Sequence, residues 1–165
     1  AVQCTPQSPN CLFCPLSGSC RALSEGKVQQ LPVKQHRTKT TNRYFNYIYV
    51  RMGAHTLIHK RTEDDIWKNL FELPLVETEK DLSEEEFLAC PQFHALFAEG
   101  EVRMVRTLLR GVKHVLSHRV IYTNFYEVTL PDNSSSFSSY QRVAVEDLGR
   151  YAVPRLIHAF LEKYV

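Results

Sequence analysis

Hydrophobic and polar positions change texture twice along this chain. Residues 1–30 hold Cys, Pro, Ser and Gly with few large apolar side chains, too few for a core of their own. Residues 31–41 (LPVKQHRTKTT) carry Pro32, Lys34, Arg37 and Lys39 with no apolar periodicity, which reads as a basic linker. From Asn42 onward the pattern becomes that of a folded body.

Tyr44 to Val50 is rich in aromatic and β-branched residues and predicts a strand. Gly53 marks a turn, and Thr56 to Lys60 is expected as the hairpin partner of that strand. A polar turn over 61–65 precedes Ile66-Trp67-Lys68-Asn69-Leu70-Phe71-Glu72-Leu73-Pro74. Ser83 stands three residues before Glu86, a capping-box spacing, so a short helix is expected over 84–88, with a further turn near 92–97. Strands are expected over 102–109, over 113–130 with a break at Ser117-His118, and over 140–143. The Ser-rich run 133–139 reads as a loop, and 145–148 begins a turn or short helix. Pro154 to Tyr164 is amphipathic, with Leu156, Ile157, Phe160 and Leu161 on one face and Pro154 suited to the first turn. The expected class is α+β, a mixed or antiparallel sheet with two or three helices behind a cysteine-rich segment.

Composition alters this picture in three ways. An apolar share of 44% in 165 residues permits a real core. A net charge of +2 gives no global pull toward nucleic acid, so any such surface must come from local clustering of cations. No apolar run is long enough to span a bilayer, and the first residues lack Met, a charged region and an apolar region; the expectation is a soluble, intracellular protein whose chain has been cut from a longer one.

Four of the five cysteines lie within the first twenty residues, at Cys4, Cys11, Cys14 and Cys20, as C-x6-C-x2-C-x5-C. A secreted disulfide scaffold would spread its cysteines along the chain. Four thiolates together suit a soft centre, a [4Fe–4S] cluster or a tetrahedral zinc, and Pro6, Pro9 and Pro15 stiffen the loop between them. The lone Cys90 reads as a small core residue.

The cysteine spacing, with its Cys4-Thr5-Pro6 start and its Cys14-Pro15-Leu16 segment, resembles the iron–sulfur loop of endonuclease III-like repair enzymes, in particular the adenine-specific MutY branch. That branch continues into a C-terminal Nudix-like domain. Ile66 to Pro74 resembles its Gly-Leu-Trp-Glu-Phe-Pro stretch, Leu116-Ser117-His118 its Phe-Ser-His loop, and Tyr151 to Pro154 the opening of its last helix. The resemblance implies that 1–30 closes a glycosylase domain, that 31–41 is a linker, and that 42–165 is a Nudix-like domain recognising 8-oxoguanine. It implies a [4Fe–4S] cluster on Cys4, Cys11, Cys14 and Cys20 in the full-length protein. The implied partner is double-stranded DNA with A·8-oxoguanine or A·G mispairs, bound by a monomer in the cytoplasm or nucleus. The family's helix–hairpin–helix and catalytic Asp would lie before Cys4, so no catalytic residue is expected here. A Nudix hydrolase needs Gly-x5-Glu-x7-Arg-Glu-x-x-Glu-Glu-x-Gly, and the cluster Glu84-Glu85-Glu86 lacks its preceding Arg and following Gly.

Leu116, Ser117 and His118 are the expected contacts to the oxidised base, Leu116 standing where the family has Phe. Short polar donors at a loop tip reach base edges closely, although an ordinary polar turn has the same composition. Arg103, Arg106, Arg110, Lys113, His114 and Arg119 bracket this loop. They read as phosphate contacts, chiefly Arg110, Lys113 and Arg119 with Lys34, Arg37 and Lys39 of the linker, or as a charged strand edge. A zinc-knuckle binding module and, behind it, a Nudix hydrolase are the alternative readings.

Overall fold

The computed structural model describes residues 3–5, 8–31 and 40–165, which divide into two compact units at Lys39/Thr40. The first unit is a string of short turns. Three-residue 3-10 turns cover Cys11–Phe13, Ser17–Ser19 and Val28–Gln30, and one helical turn, α1, covers Arg21–Ser24. None of these elements contains a buried residue.

The second unit is built on a mixed sheet. Its strands are β1 (Thr41–Arg51), β4 (Leu75–Thr78), β5 (Met104–Val115) and β6 (Arg119–Thr129), in the order β4-β1-β6-β5. β1 and β6 run parallel in the centre, and each carries an antiparallel neighbour on its outer side. Central strands must bury both faces, which explains the unbroken apolar run Tyr47 to Val50. Phe45, Tyr47, Ile121 and Phe125 pack on one face with the helix α4 (Arg155–Tyr164), through its Leu156, Ile157 and Phe160. Ile48, Val50, Tyr126 and Val128 pack on the other with Phe87 of α2 (Glu84–Leu88) and Phe93 of α3 (Pro91–His94).

A second sheet is formed by β2 (His55–Lys60), β3 (Phe71–Glu72) and β7 (Gln141–Ala144), in the order β3-β2-β7, all antiparallel. Here the hairpin expectation fails. β2 joins the end of β1 through the single bridge Met52–His55, and beyond it β2 pairs with β3 and β7 instead of continuing along β1. The chain changes sheets at Gly53, whose φ is +57° and where a Cβ would sit 2.9 Å from an Asp132 carboxylate oxygen.

β5 also departs from expectation, running to Val115 as one strand. Irregularities between Thr107, Leu109 and Val112 break the alternation that would have announced it, and Gly111 takes a positive φ there. Pro154 lies just before α4 with extended backbone, outside its first turn. The capping box is formed: Ser83 Oγ accepts from the Glu86 N–H at 3.1 Å, and Glu86 accepts from the Ser83 N–H at 2.8 Å. Among the described residues no helix is long and apolar enough to cross a membrane.

Candidate functional site

The break between β5 and β6 is a tight hairpin. Val115 pairs with Val120, and the Leu116 N–H donates to the Arg119 carbonyl at 2.8 Å, leaving Ser117 and His118 at the tip. Both are exposed, and among the described residues neither side chain is engaged in a hydrogen bond. The His118 carbonyl accepts from the Thr41 N–H at 3.1 Å, tying the tip to the start of β1. Leu116 is half-buried against the α4-side core, so it anchors the tip rather than projecting from it. A hollow of about 440 Å³ lies beside the tip, lined by 64–66 and 116–119.

The flanking cations are placed unequally. Lys113 is exposed and has no acidic partner among the described residues. Arg106 pairs with Glu127 at 2.8 Å, and Arg110 donates to the Leu82 carbonyl at 2.6 Å. Arg119 is bound to Asp65. His114 turns inward, its ring 5.8 Å from that of Trp67. Lys34, Arg37 and Lys39 lie outside the described residues.

Sequence reasoning missed the ionic cluster beneath the tip. Asp65 accepts from Arg43 at 2.5 Å and Arg61 at 3.2 Å as well as from Arg119. Arg43 also forks onto Glu77, at 2.6 Å through both Nε and a terminal nitrogen. Arg61 is bound to both oxygens of the buried Glu72, at 2.9 and 2.8 Å, and Glu72 accepts from the Tyr47 hydroxyl at 3.0 Å. Partial burial pushes the Asp65 carboxyl up, but the Arg43 and Arg119 guanidiniums and the Ile66 N–H outweigh it and hold the group well below the usual carboxylate range. The hydrogen bond to Glu77 raises Arg43 above its ordinary value, against the effect of burial and with help from Asp65. The only sequence signal was the concentration of opposite charges over 61–65.

In the first unit, a tight turn follows each of Cys11, Cys14 and Cys20. The Cys14 N–H donates to the Cys11 carbonyl at 3.2 Å, Ser17 to Cys14 at 3.0 Å and Ser24 to Cys20 at 3.0 Å. All five cysteines are free thiols. Four thiols suit a soft metal centre chemically, yet among the described residues no three His, Cys, Asp or Glu side chains are grouped to hold a metal. Of the acidic cluster at α2, Glu86 is committed to its cap.

The mixed sheet thus lies between α4 on one side and α2 and α3 on the other, with a polar hairpin tip at one end. Residues 46–163 match a family model described as a NUDIX domain, and the chain belongs to that family. Within it, the chain resembles adenine DNA glycosylases. One from Buchnera aphidicola subsp. Schizaphis graminum is 33% identical over 78 residues, 47% of this chain and 22% of that protein. Another from the Acyrthosiphon pisum subspecies is 24% identical over 164 residues, 98% of this chain and 44% of that protein. The chain thus spans less than half the length of these relatives. Among solved structures, the C-terminal domain of mouse MUTYH in complex with human PCNA has a TM-score of 0.59 at 14% identity, over 74% of this chain and 86% of that one. A MutT studied in Aliivibrio salmonicida and Vibrio cholerae has a TM-score of 0.51 at 16% identity, over 74% and 95%. The Nudix-like α+β fold is therefore as expected.

Proposed function

We propose that this chain is the C-terminal part of an adenine DNA glycosylase and that its Nudix domain reads the 8-oxoguanine opposite the target adenine. The observation that carries this is the exposed Ser117–His118 tip, two short polar side chains held out on a hairpin. Oxidation turns guanine N7 from an acceptor into an N–H donor and adds a carbonyl at C8. The Ser117 hydroxyl oxygen accepts from that new N–H, His118 offers a ring nitrogen to the same edge, and plain guanine has no matching donor. Leu116 supports the tip from below. Lys113 holds a DNA phosphate. Arg110 reaches a phosphate by releasing the Leu82 carbonyl, Arg119 offers a phosphate the guanidinium nitrogens that Asp65 leaves free, and Lys34, Arg37 and Lys39 contribute from the linker. The partner is duplex DNA with A·8-oxoguanine or A·G pairs, bound by a monomer in the cytoplasm or nucleus.

The catalytic residues belong to the preceding glycosylase domain, so this chain removes no base by itself. With that domain present, Cys4, Cys11, Cys14 and Cys20 would hold a [4Fe–4S] cluster whose part would be structural, fixing the loop, since metal binding is coupled to the folding around it.

Changing Ser117→Ala and His118→Ala together in the whole glycosylase narrows its preference for 8-oxoguanine over guanine opposite adenine by about 1–3 kcal/mol, the size of one base-edge contact. Equal weakening on both substrates would make the tip a general DNA contact. Cys14→Ser abolishes the iron content of the whole enzyme; retained iron and sulfide would remove the cluster assignment.

A further inference from the structure

The turn from Arg61 to Leu70 holds both legs of the hairpin tip. It is a closed loop: the Arg61 N–H donates to the Leu70 carbonyl at 2.9 Å, and the Asn69 N–H to the Arg61 carbonyl at 2.8 Å. From this loop Asp65 binds Arg119, the residue directly after His118 on the β6 leg. From the same loop Trp67 sets its ring 5.8 Å from His114 on the β5 leg, and 6.1 Å from Phe45 in the core.

Two features show that this grip is built rather than incidental. Trp67 has φ +60° and Asn69 φ +69°. A bulky residue in the left-handed region is strained, and such strain persists only where surrounding contacts fix it. The ionic cluster is also closed in charge, with Arg43, Arg61 and Arg119 set against Asp65, Glu72 and Glu77, the last two on β3 and β4. Asp65 is therefore tied to both sheets before it meets the tip. A carboxylate on one guanidinium would be an ordinary surface pair; one held by arginines from three places in the fold has little freedom to move.

We infer that Asp65 and Trp67 are positioning residues that fix the depth and angle at which Ser117 and His118 meet the oxidised base. This rests on the reading role proposed for the tip. Neither residue touches DNA. Asp65 acts through Arg119, and Trp67 through His114. Arg119 consequently contributes more as a tether than as a phosphate contact.

Amide hydrogen exchange on this chain tests the grip directly, because two amides report on the tip: Leu116, bonded to Arg119, and Thr41, bonded to His118. The Ile48 amide, bonded to Pro74 within the core, is the reference. Asp65→Asn should speed exchange at Leu116 and Thr41 roughly tenfold while leaving Ile48 within about twofold, as expected for a local opening. Asp64→Asn, one residue away and paired only with Lys68 among the described residues, should change none of them. Asp65→Asn combined with Arg119→Gln should open the tip no further than either change alone, since the two act as one link. If Asp65→Asn fails to fold, Arg119→Gln alone carries the test, because it leaves Asp65 paired with Arg43 and Arg61.

In duplex binding, Asp65→Asn should reduce the preference for 8-oxoguanine over guanine by roughly fivefold, within the range of one misplaced base-edge contact. Unchanged exchange at Leu116 and Thr41, or equal acceleration at all three amides, overturns the inference. So does an unchanged preference in Asp65→Asn when Ser117→Ala, His118→Ala abolishes it. If the tip double change leaves the preference intact, the reading role falls, and the grip still stands or falls by the exchange result.

Discussion

Phe13 and Phe160 place one side chain in two circumstances. Phe13, in the cysteine-rich unit, is 75% exposed, and its neighbours Leu12 and Leu16 are exposed with it. Phe160 is 2% exposed and stacks on Phe125 with ring centroids 4.1 Å apart. The difference lies in what the local sequence offers as cover. Residues 40–165 supply two faces of a sheet and helices to close them, whereas the described residues of the first unit form short turns with no buried residue among them. A cysteine-rich segment with exposed apolar groups depends on whatever else surrounds it; a domain with two cores does not.

The sharpest way to break this contrast is to truncate both rings. Phe160→Ala should cost about 3–5 kcal/mol, through lost burial and the cavity left behind. Phe13→Ala should stay within about 0.5 kcal/mol. Urea unfolding followed by the single tryptophan, Trp67, measures both. Similar costs would contradict the division of the chain.

A somewhat smaller effect tests the ionic part of the domain. Glu72→Gln leaves the Arg61 guanidinium facing a neutral group in a buried setting, and should cost roughly 3 kcal/mol, the low end for breaking a buried pair, because Asp65 still holds Arg61. Thermal melting checks it, and a change under about 1 kcal/mol would show that the pair is solvated.

Ser83→Ala removes one half of the α2 cap and should cost about 1 kcal/mol in the same assay. Among the described residues no helical turn of the first unit has a side-chain cap to remove, so serine changes there should have a smaller effect.

The mildest test is acid. The Ser134 hydroxyl, the Ser135 N–H and Ser136 draw the Glu101 carboxyl down to about 2 from 4.5. A depressed carboxylate stabilises the folded loop above 4.5 and loses that contribution as pH falls toward 2. The carboxyl resonance of Glu101 should therefore titrate with a midpoint near 2, and the 131–140 loop should become protease-sensitive in that window. A midpoint near 4.5 would mean that the serine contacts do not persist in solution.

Elements governed by local physics were legible from the sequence. The α2 cap, the α4 face and the break at Ser117–His118 depend on residues a few positions apart. The β1–β2 hairpin misled because the partners of β2 lie beyond the adjacent strand: it pairs with β3 and β7 in a second sheet, while β1 pairs along its length with β6. The length of β5 was hidden by its bulges, which destroy the period-two signal. At the candidate site, the tip could be named from its motif, but the ionic cluster beneath it could not. Arg43, Asp65 and Arg119 meet only through the fold, and from sequence Arg119 looked like a phosphate contact.

The parallel pairing of β1 with β6 also sets the order of events during synthesis. Asn46 and Asn124, neighbours in that pair, are 78 residues apart. At ~5–20 residues per second the ribosome takes roughly 4 to 16 s to supply the second strand after the first. Until β6 emerges the strand partner of β1 is β4, once made, along one edge from Tyr44 to Tyr47, and the other edge is an open template for a neighbouring nascent chain. Arg43 and Arg51 flank it with positive charge, as gatekeeper residues do. A transcript cut short before the codon for Arg119 would yield a chain with this exposed edge and no strand to cover it, and such a chain should aggregate rather than fold.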